Sequence, residues 1–172
     1  MGNLWNDLLG RQYEAALCTL NYSIEKSPEP AWQGKVVNMT FDQAVFHTLF
    51  FTDYYLGKKP EELKQQAYHR QHAEFFADYE EMEPRAQRQR YTKATLGDYL
   101  QFCRAKAKET LAVETAQDLA AACEFPPKTF SRAELHVYNL RHIQHHAAQL
   151  VMRLRMDYQV DTPWFGSGWR AS

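Results

Sequence analysis

Two histidines four residues apart, His142 and His146, are the side chains best spaced in this sequence to act on a single atom. They lie in the stretch 131–155, which contains neither glycine nor proline and therefore reads as one helix. A spacing of four residues puts both imidazoles on one helical face, one turn apart, where they can bind the same metal ion. A third histidine, His47, falls in the middle of another strongly apolar segment.

Three neutral imidazoles form a donor set that suits Zn²⁺, Ni²⁺ or Fe²⁺. A site with three protein ligands keeps a position open for water or substrate, which is typical of catalytic metals, whereas structural zinc normally has four ligands. The alternative is a metal-free bundle in which the three histidines are core residues satisfied by hydrogen bonds. The spacing alone leaves both interpretations open.

The helix that carries the pair begins at Ser131, which together with Glu134 has the sequence of a capping box. At 100° per residue, Asn139 and Leu150 share the apolar face with the two histidines. His145 lies to the side of that face, so we expect it not to be a ligand.

Three more helices are predicted from apolar periodicity and from their end signals. The first runs from Gly2 to about Ile24 and is ended by prolines 28 and 30, and a linker extends to residue 38. The second runs from Thr40 to Leu56 and is stopped by Gly57. The third begins at Thr95, and its polar side chains, Lys106 among them, are expected to face water.

The segment 58–93 is polar and long for a connection within one domain. It is long enough to cross a helix bundle and join two parallel helices, with a break expected at 80–85. His69 and His72 lie in this segment and are interpreted as solvated. No strand pattern appears, so the sequence predicts an all-α protein, a four-helix bundle with a long crossover between the second and third helices, in one domain spanning 1–172.

The composition narrows the classes of partner and the compartment that we expect for the protein. A net charge of −1 without a basic block argues against a nucleic-acid partner, and there is no apolar run or signal peptide to suggest a membrane. Three scattered cysteines, an odd number, predict reduced thiols in the cytoplasm. The 14% aromatic content and a tail containing Trp164 and Trp169 predict apolar surface that packs on the body of the protein or in a homodimer.

The run Arg-His-Ile-Gln-His-His-Ala-Ala-Gln-Leu at 141–150 resembles the His-x-x-x-His-x-x-Gln signature of the DinB-like (DinB/YfiT) superfamily. The long connection and the place of His47 extend the resemblance over nearly the whole chain. The resemblance implies an up-down-down-up bundle and a divalent metal bound by His47, His142 and His146. The family often has Arg-Gly where this chain has alanines at 147 and 148.

The resemblance also implies chemistry on a small molecule. Some members are metal-dependent transferases that use a low-molecular-weight thiol, and others are classed as hydrolases. We therefore expect a metal-dependent thiol S-transferase, with a metal-dependent hydrolase or a non-enzymatic, metal-stabilised stress-response or binding module as alternatives. The sequence offers no evident nucleophile, so the reacting group would be water or a thiol at the metal, with Gln149, Asn139 and Tyr54 as the main candidate helpers, and Gln43 and Asp53 beside them.

Overall fold

The computed structural model describes residues 4–77 and 89–170, and it is mostly helical, which confirms the predicted all-α class. The four long helices are α1 (Leu4–Lys26), α3 (Phe41–Leu56), α5 (Lys93–Val113) and α7 (Arg132–Tyr158). The short elements are α2 (Glu29–Gln33), strands β1 (Lys35–Val36) and β2 (Met39–Thr40), a 3₁₀ helix (Pro60–Gln65), α4 (Ala67–Gln71) and α6 (Ala116–Ala120). The predicted break at 80–85 and residues 2–3 of the first helix lie outside the described residues.

Capping residues set the helix ends close to where the sequence places them. Ser131 Oγ accepts the backbone N–H of Glu134 at 3.2 Å, so α7 begins at the next residue. The third long helix begins two residues earlier than predicted, because Thr92 Oγ1 accepts the N–H of Thr95 at 3.1 Å. Thr40 precedes α3, but its hydroxyl donates to Asp42 Oδ1 at 2.6 Å instead of capping the helix.

The absence of strands was a wrong prediction. The linker after α1 contains α2 and a two-stranded antiparallel hairpin, in which Lys35 faces Thr40 and Val36 faces Met39. Val37 has a φ of 58° in the turn between them. Strands of two residues are too short to show the alternation from which a strand is predicted.

Side-chain contacts give the directions of the long helices. Cys103 donates to the carbonyl of Leu49 and Lys106 to the carbonyl of Asp53, so α3 and α5 run parallel. This arrangement requires a connection as long as the one between them. The amide of Asn6 at the start of α1 donates to carbonyls at the end of α5, so those two helices run antiparallel.

One hydrophobic cluster joins all four long helices. Its fully buried members include Leu17, Leu20, Phe46, Leu49, Phe50, Tyr99, Leu100, Leu150 and Leu154. The two helices that carry the predicted ligands, α3 and α7, pack on each other along their length. Among the described helices, none is long and apolar enough to span a membrane.

The buried guanidinium of Arg132 fastens the first turn of α7 to the end of α3. It donates to the carbonyls of Tyr55 and Gly57 at 2.8 Å and to that of Leu56 at 3.0 Å. These are carbonyls that a helix end leaves without intrahelical partners. The same group donates to Glu114 Oε1 at 2.7 Å, so it also anchors the end of α5.

The prediction that His69 is solvated is wrong, although His72 is exposed as expected. His69 is 2% exposed, and its Nε2 lies 2.5 Å from Asp53 Oδ2. Tyr99 donates to the same carboxylate at 2.9 Å, and Lys106, expected in water, reaches it as well. Burial alone would raise the pKa of Asp53, but the hydrogen bond from His69 and the charge of Lys106 lower it. These contacts hold the first part of the long connection against α3 and α5.

The C-terminal tail folds back along α1. Gly168 donates its N–H to the carbonyl of Arg11 at 3.0 Å, and Trp169 packs on the body with the guanidinium of Arg104 4.1 Å from its ring centre. Trp164 is 86% exposed, so packing on the body is confirmed for Trp169 only, and packing of Trp164 on a second subunit stays a prediction.

Candidate metal centre

The antiparallel packing of α3 and α7 brings the three predicted ligands together. His47, in the middle of α3, faces His142 and His146 on adjacent turns of α7, and one ring nitrogen from each lies within 4.8 Å of the others. His47 Nε2 and His142 Nε2 are 3.2 Å apart. The ring centre of His146 lies 4.6 Å from each of the other two rings.

These distances fit a single divalent ion. Two imidazoles bound to one zinc at about 2.0–2.1 Å, with a roughly tetrahedral angle, hold their nitrogens about 3.3 Å apart. The 3.2 Å separation between His47 and His142 is close to that value. A hydrogen bond between two rings would give a similar distance, so the fit rests on the third imidazole, which approaches both of the others. Three histidines at this spacing could hold a metal ion.

The electrostatics of the triad favour a neutral ring at His142. Burial first, and then the neighbouring histidines with His146 foremost, together lower the pKa of His142 to about 3. At neutral pH this ring therefore carries no charge. A metal ion binding there would not have to displace a proton from it.

Gln149 fixes the tautomer of His146. Its amide oxygen lies 3.1 Å from His146 Nδ1, and since an amide oxygen can only accept, Nδ1 must carry the proton. The lone pair of Nε2 is then available to a metal. The amide nitrogen of Gln149 donates to His145 Nε2 at 3.2 Å, on the exposed side of the helix. The structure thus gives a specific role to one of the predicted helpers.

The triad is closed on one side and open on the other. Phe51, one turn after His47, packs edge-on at 4.9 Å from that ring and 5.5 Å from His142. His47 and His142 keep partial exposure, and His146 is 9% exposed. Nδ1 of His142 is buried without a hydrogen-bond partner in the part of the chain that the structure describes. Phe51 was not predicted, although its four-residue spacing from His47 is a signal that the sequence contains.

The other candidate helpers are engaged elsewhere. Asn139 is fully buried, and its amide donates to the carbonyl of Thr52 at 3.0 Å, which ties α7 to α3. Tyr54 packs against Phe51 and against Phe125. Gln43 is buried one turn before His47, and Asp53 belongs to the cluster around His69. A catalytic role for Asn139 or Tyr54 stays a prediction.

A family model described as the DinB superfamily matches residues 25–150. The chain belongs to the DinB superfamily. The DinB match begins near the end of α1 and covers the whole of α3 and α5 and most of α7. It contains the three histidines and Gln149, and it ends one residue after that glutamine. Neither the comparison with curated proteins nor that with solved structures found a match.

Proposed function

We propose that this DinB protein binds one divalent ion, zinc, nickel or iron, through His47, His142 and His146, and uses it to transfer a low-molecular-weight thiol to a small electrophilic molecule. The observation that carries the proposal is the donor set itself. The cluster within 4.8 Å consists of three imidazoles, and no carboxylate or thiol of the described residues joins it. The charge of the ion must then be balanced by an anion from solvent or substrate.

A divalent ion at this position would supply the positive charge that favours the deprotonated form of a thiol or of water. In thiol transfer the S–H bond breaks, an S–C bond forms at the electrophilic carbon, and the leaving group departs with the bonding electron pair. The proton passes to solvent through the open side of the triad. The chain contributes by orienting His146 through Gln149 and by excluding water from one side with Phe51.

The competing functions are a metal-dependent hydrolase and a non-enzymatic metal-stabilised module. Hydrolysis needs the same open position, occupied by water instead of a thiol. A purely structural metal would be expected to have a fourth protein ligand. The residues three or four positions from the ligands, which include Asn139, Leu150 and Phe51, offer no anionic side chain.

The test is a conjugation assay with metal-loaded protein. The protein is incubated with 1-chloro-2,4-dinitrobenzene and a panel of cellular thiols, and separately with ester and amide substrates. We expect thiol-dependent conjugation that His142→Ala abolishes. The control variant His145→Ala, which changes an exposed neighbour of the triad, should keep the activity. Hydrolysis without any thiol would replace the transferase with the hydrolase, and equal turnover in His142→Ala and wild type would contradict both.

We further propose that the protein works as a cytoplasmic homodimer. Met152 is 56% exposed, Met156 70% and Trp164 86%, and these are apolar side chains that a second copy of the chain would cover. All three cysteines are free, in keeping with a reducing compartment. Light scattering at tens of micromolar should give twice the mass of the chain, and a monomer mass would contradict the dimer.

A further inference from the structure

A row of aromatic side chains leads away from the triad where α3 and α7 pack on each other. It starts at Phe51, whose ring touches both His47 and His142. Phe51 stacks on Tyr55 with ring centres 5.8 Å apart, and Tyr55 meets Tyr138 edge to face at 5.3 Å. We call Phe51, Tyr55 and Tyr138 the aromatic row. It is open to solvent at its two ends, where Tyr138 is 37% exposed and Phe51 is half-buried, whereas Tyr55 between them is 6% exposed.

A single ammonium group ends the row. Lys128 Nζ lies 4.8 Å from the ring centre of Tyr55 and 5.2 Å from that of Tyr138. Among the described residues no carboxylate pairs with it. Contacts with ring faces do not use up the N–H donors of an ammonium, so Lys128 keeps donors for a ligand. The charge is therefore held in place beside the apolar surface and is still able to bind an anion.

The length of the row defines the size of a ligand. Eight residues of α3 separate His47 from Tyr55, which corresponds to about 12 Å at 1.5 Å per residue. That span suits one or two fused rings with a short substituent at each end. A flat ring can lie against the exposed parts of Phe51 and Tyr138, above the buried ring of Tyr55, and an anionic group at its far end can reach Lys128.

We propose that the aromatic row binds the flat apolar body of an aromatic carboxylate, with the carboxylate on Lys128 and the opposite end at the triad. The inference rests on the proposed function, because it identifies the substrate class of the same site. The aromatic row together with Lys128 selects planar anionic molecules. It makes Tyr138 and Lys128 specificity-determining residues, since neither contacts the metal-binding nitrogens.

The test uses metal-free protein, so that a carboxylate cannot bind through the ion. Binding of 2-naphthoate is measured by calorimetry and compared with that of the neutral 2-naphthylmethanol. We expect 2-naphthoate to bind at least fivefold more tightly than the alcohol, and Lys128→Gln to remove that preference. Lys59→Gln is the matched control, because Lys59 borders the same surface pocket as Lys128 but does not lie over the row. Tyr138→Ala, a change on the surface of α7, should weaken both ligands.

Three results would overturn the proposal. One is equal binding of 2-naphthoate to Lys128→Gln and to wild type, and another is equal binding of the acid and the alcohol. The third is 2-naphthoate binding that appears only after zinc is added, since this would show coordination of the carboxylate by the ion. If the metal-free protein does not bind 2-naphthoate through the aromatic row, the metal content and the conjugation assay are unaffected. This outcome can therefore be distinguished from failure of the proposed function.

Discussion

Gln149 is the residue whose replacement tests most sharply how the chain prepares its metal ligands. Its amide oxygen accepts the Nδ1 proton of His146 at 3.1 Å, in a position where His146 is 9% exposed. Gln149→Leu keeps the approximate size of the side chain but removes the acceptor. Nδ1–H then loses its partner, the ring can turn, and the tautomer with the proton on Nδ1 is no longer enforced.

The expected loss of zinc affinity follows from the role of groups that, like Gln149, hydrogen-bond to the second ring nitrogen of a metal-binding histidine. Loss of the group that orients a ligating histidine typically weakens metal affinity by about 10- to 100-fold, which is about 1.4–2.7 kcal/mol. Gln149→Glu should keep affinity close to that of wild type, because a carboxylate oxygen also accepts the Nδ1 proton. Gln144→Leu, on the exposed outer face of α7, is the control and should change affinity by less than twofold.

The assay is zinc competition against a chromophoric chelator at pH 7.5, with circular dichroism to show that each variant is folded. We expect wild type, Gln144→Leu and Gln149→Glu to bind zinc with similar affinity, and Gln149→Leu to bind it much more weakly. If Gln149→Leu binds zinc within twofold of wild type, Gln149 does not orient His146 for metal binding. A loss of equal size in Gln149→Glu would also refute it.

Two further predictions concern stability. Arg132→Met should lower the free energy of unfolding by about 3–5 kcal/mol, because it leaves the buried Glu114 carboxylate and three carbonyls without this donor. The control Arg153→Met, which breaks an exposed pair with Asp157, should lower it by less than about 0.5 kcal/mol. Equal urea midpoints for the two variants would contradict the role given to Arg132. Since the folded pKa of His142 is about 3 and its unfolded pKa near 6.5, metal-free protein should lose stability as pH falls between these values, by up to about 1.4 kcal/mol per pH unit from this residue. His142→Gln should flatten the slope accordingly, and unchanged slopes would count against the neutral ring.

The parts of the molecule that local sequence patterns control were predictable. The four-residue spacing of His142 and His146, with an uninterrupted helix around them, fixes their common face without any knowledge of the fold. The same holds for the start of α7 at Ser131 and the end of α3 at Gly57, where the end signals lie within one turn of the boundary. The pairing of these histidines with His47 needed the family resemblance, because no local pattern says which helices face each other.

The parts that depend on distant contacts were not predictable. His69 lies in a charged segment, and its burial comes from Asp53 sixteen residues earlier and from α5, which contributes Tyr99 and Lys106. A lysine stem can lie along apolar surface while its ammonium reaches a buried carboxylate, so a charged residue on a helix need not face water. The same is true of His136, which is fully buried and whose Nε2 donates at 2.8 Å to Glu114, 22 residues away in the sequence.

The metal content of purified protein tests the central claim most directly. Wild type, His142→Ala and His145→Ala are each dialysed against the same low concentration of zinc, and zinc per chain is determined by elemental analysis. The triad predicts one zinc per chain in wild type, close to one in His145→Ala, and almost none in His142→Ala. One full equivalent of zinc retained by His142→Ala would contradict the assignment of the site.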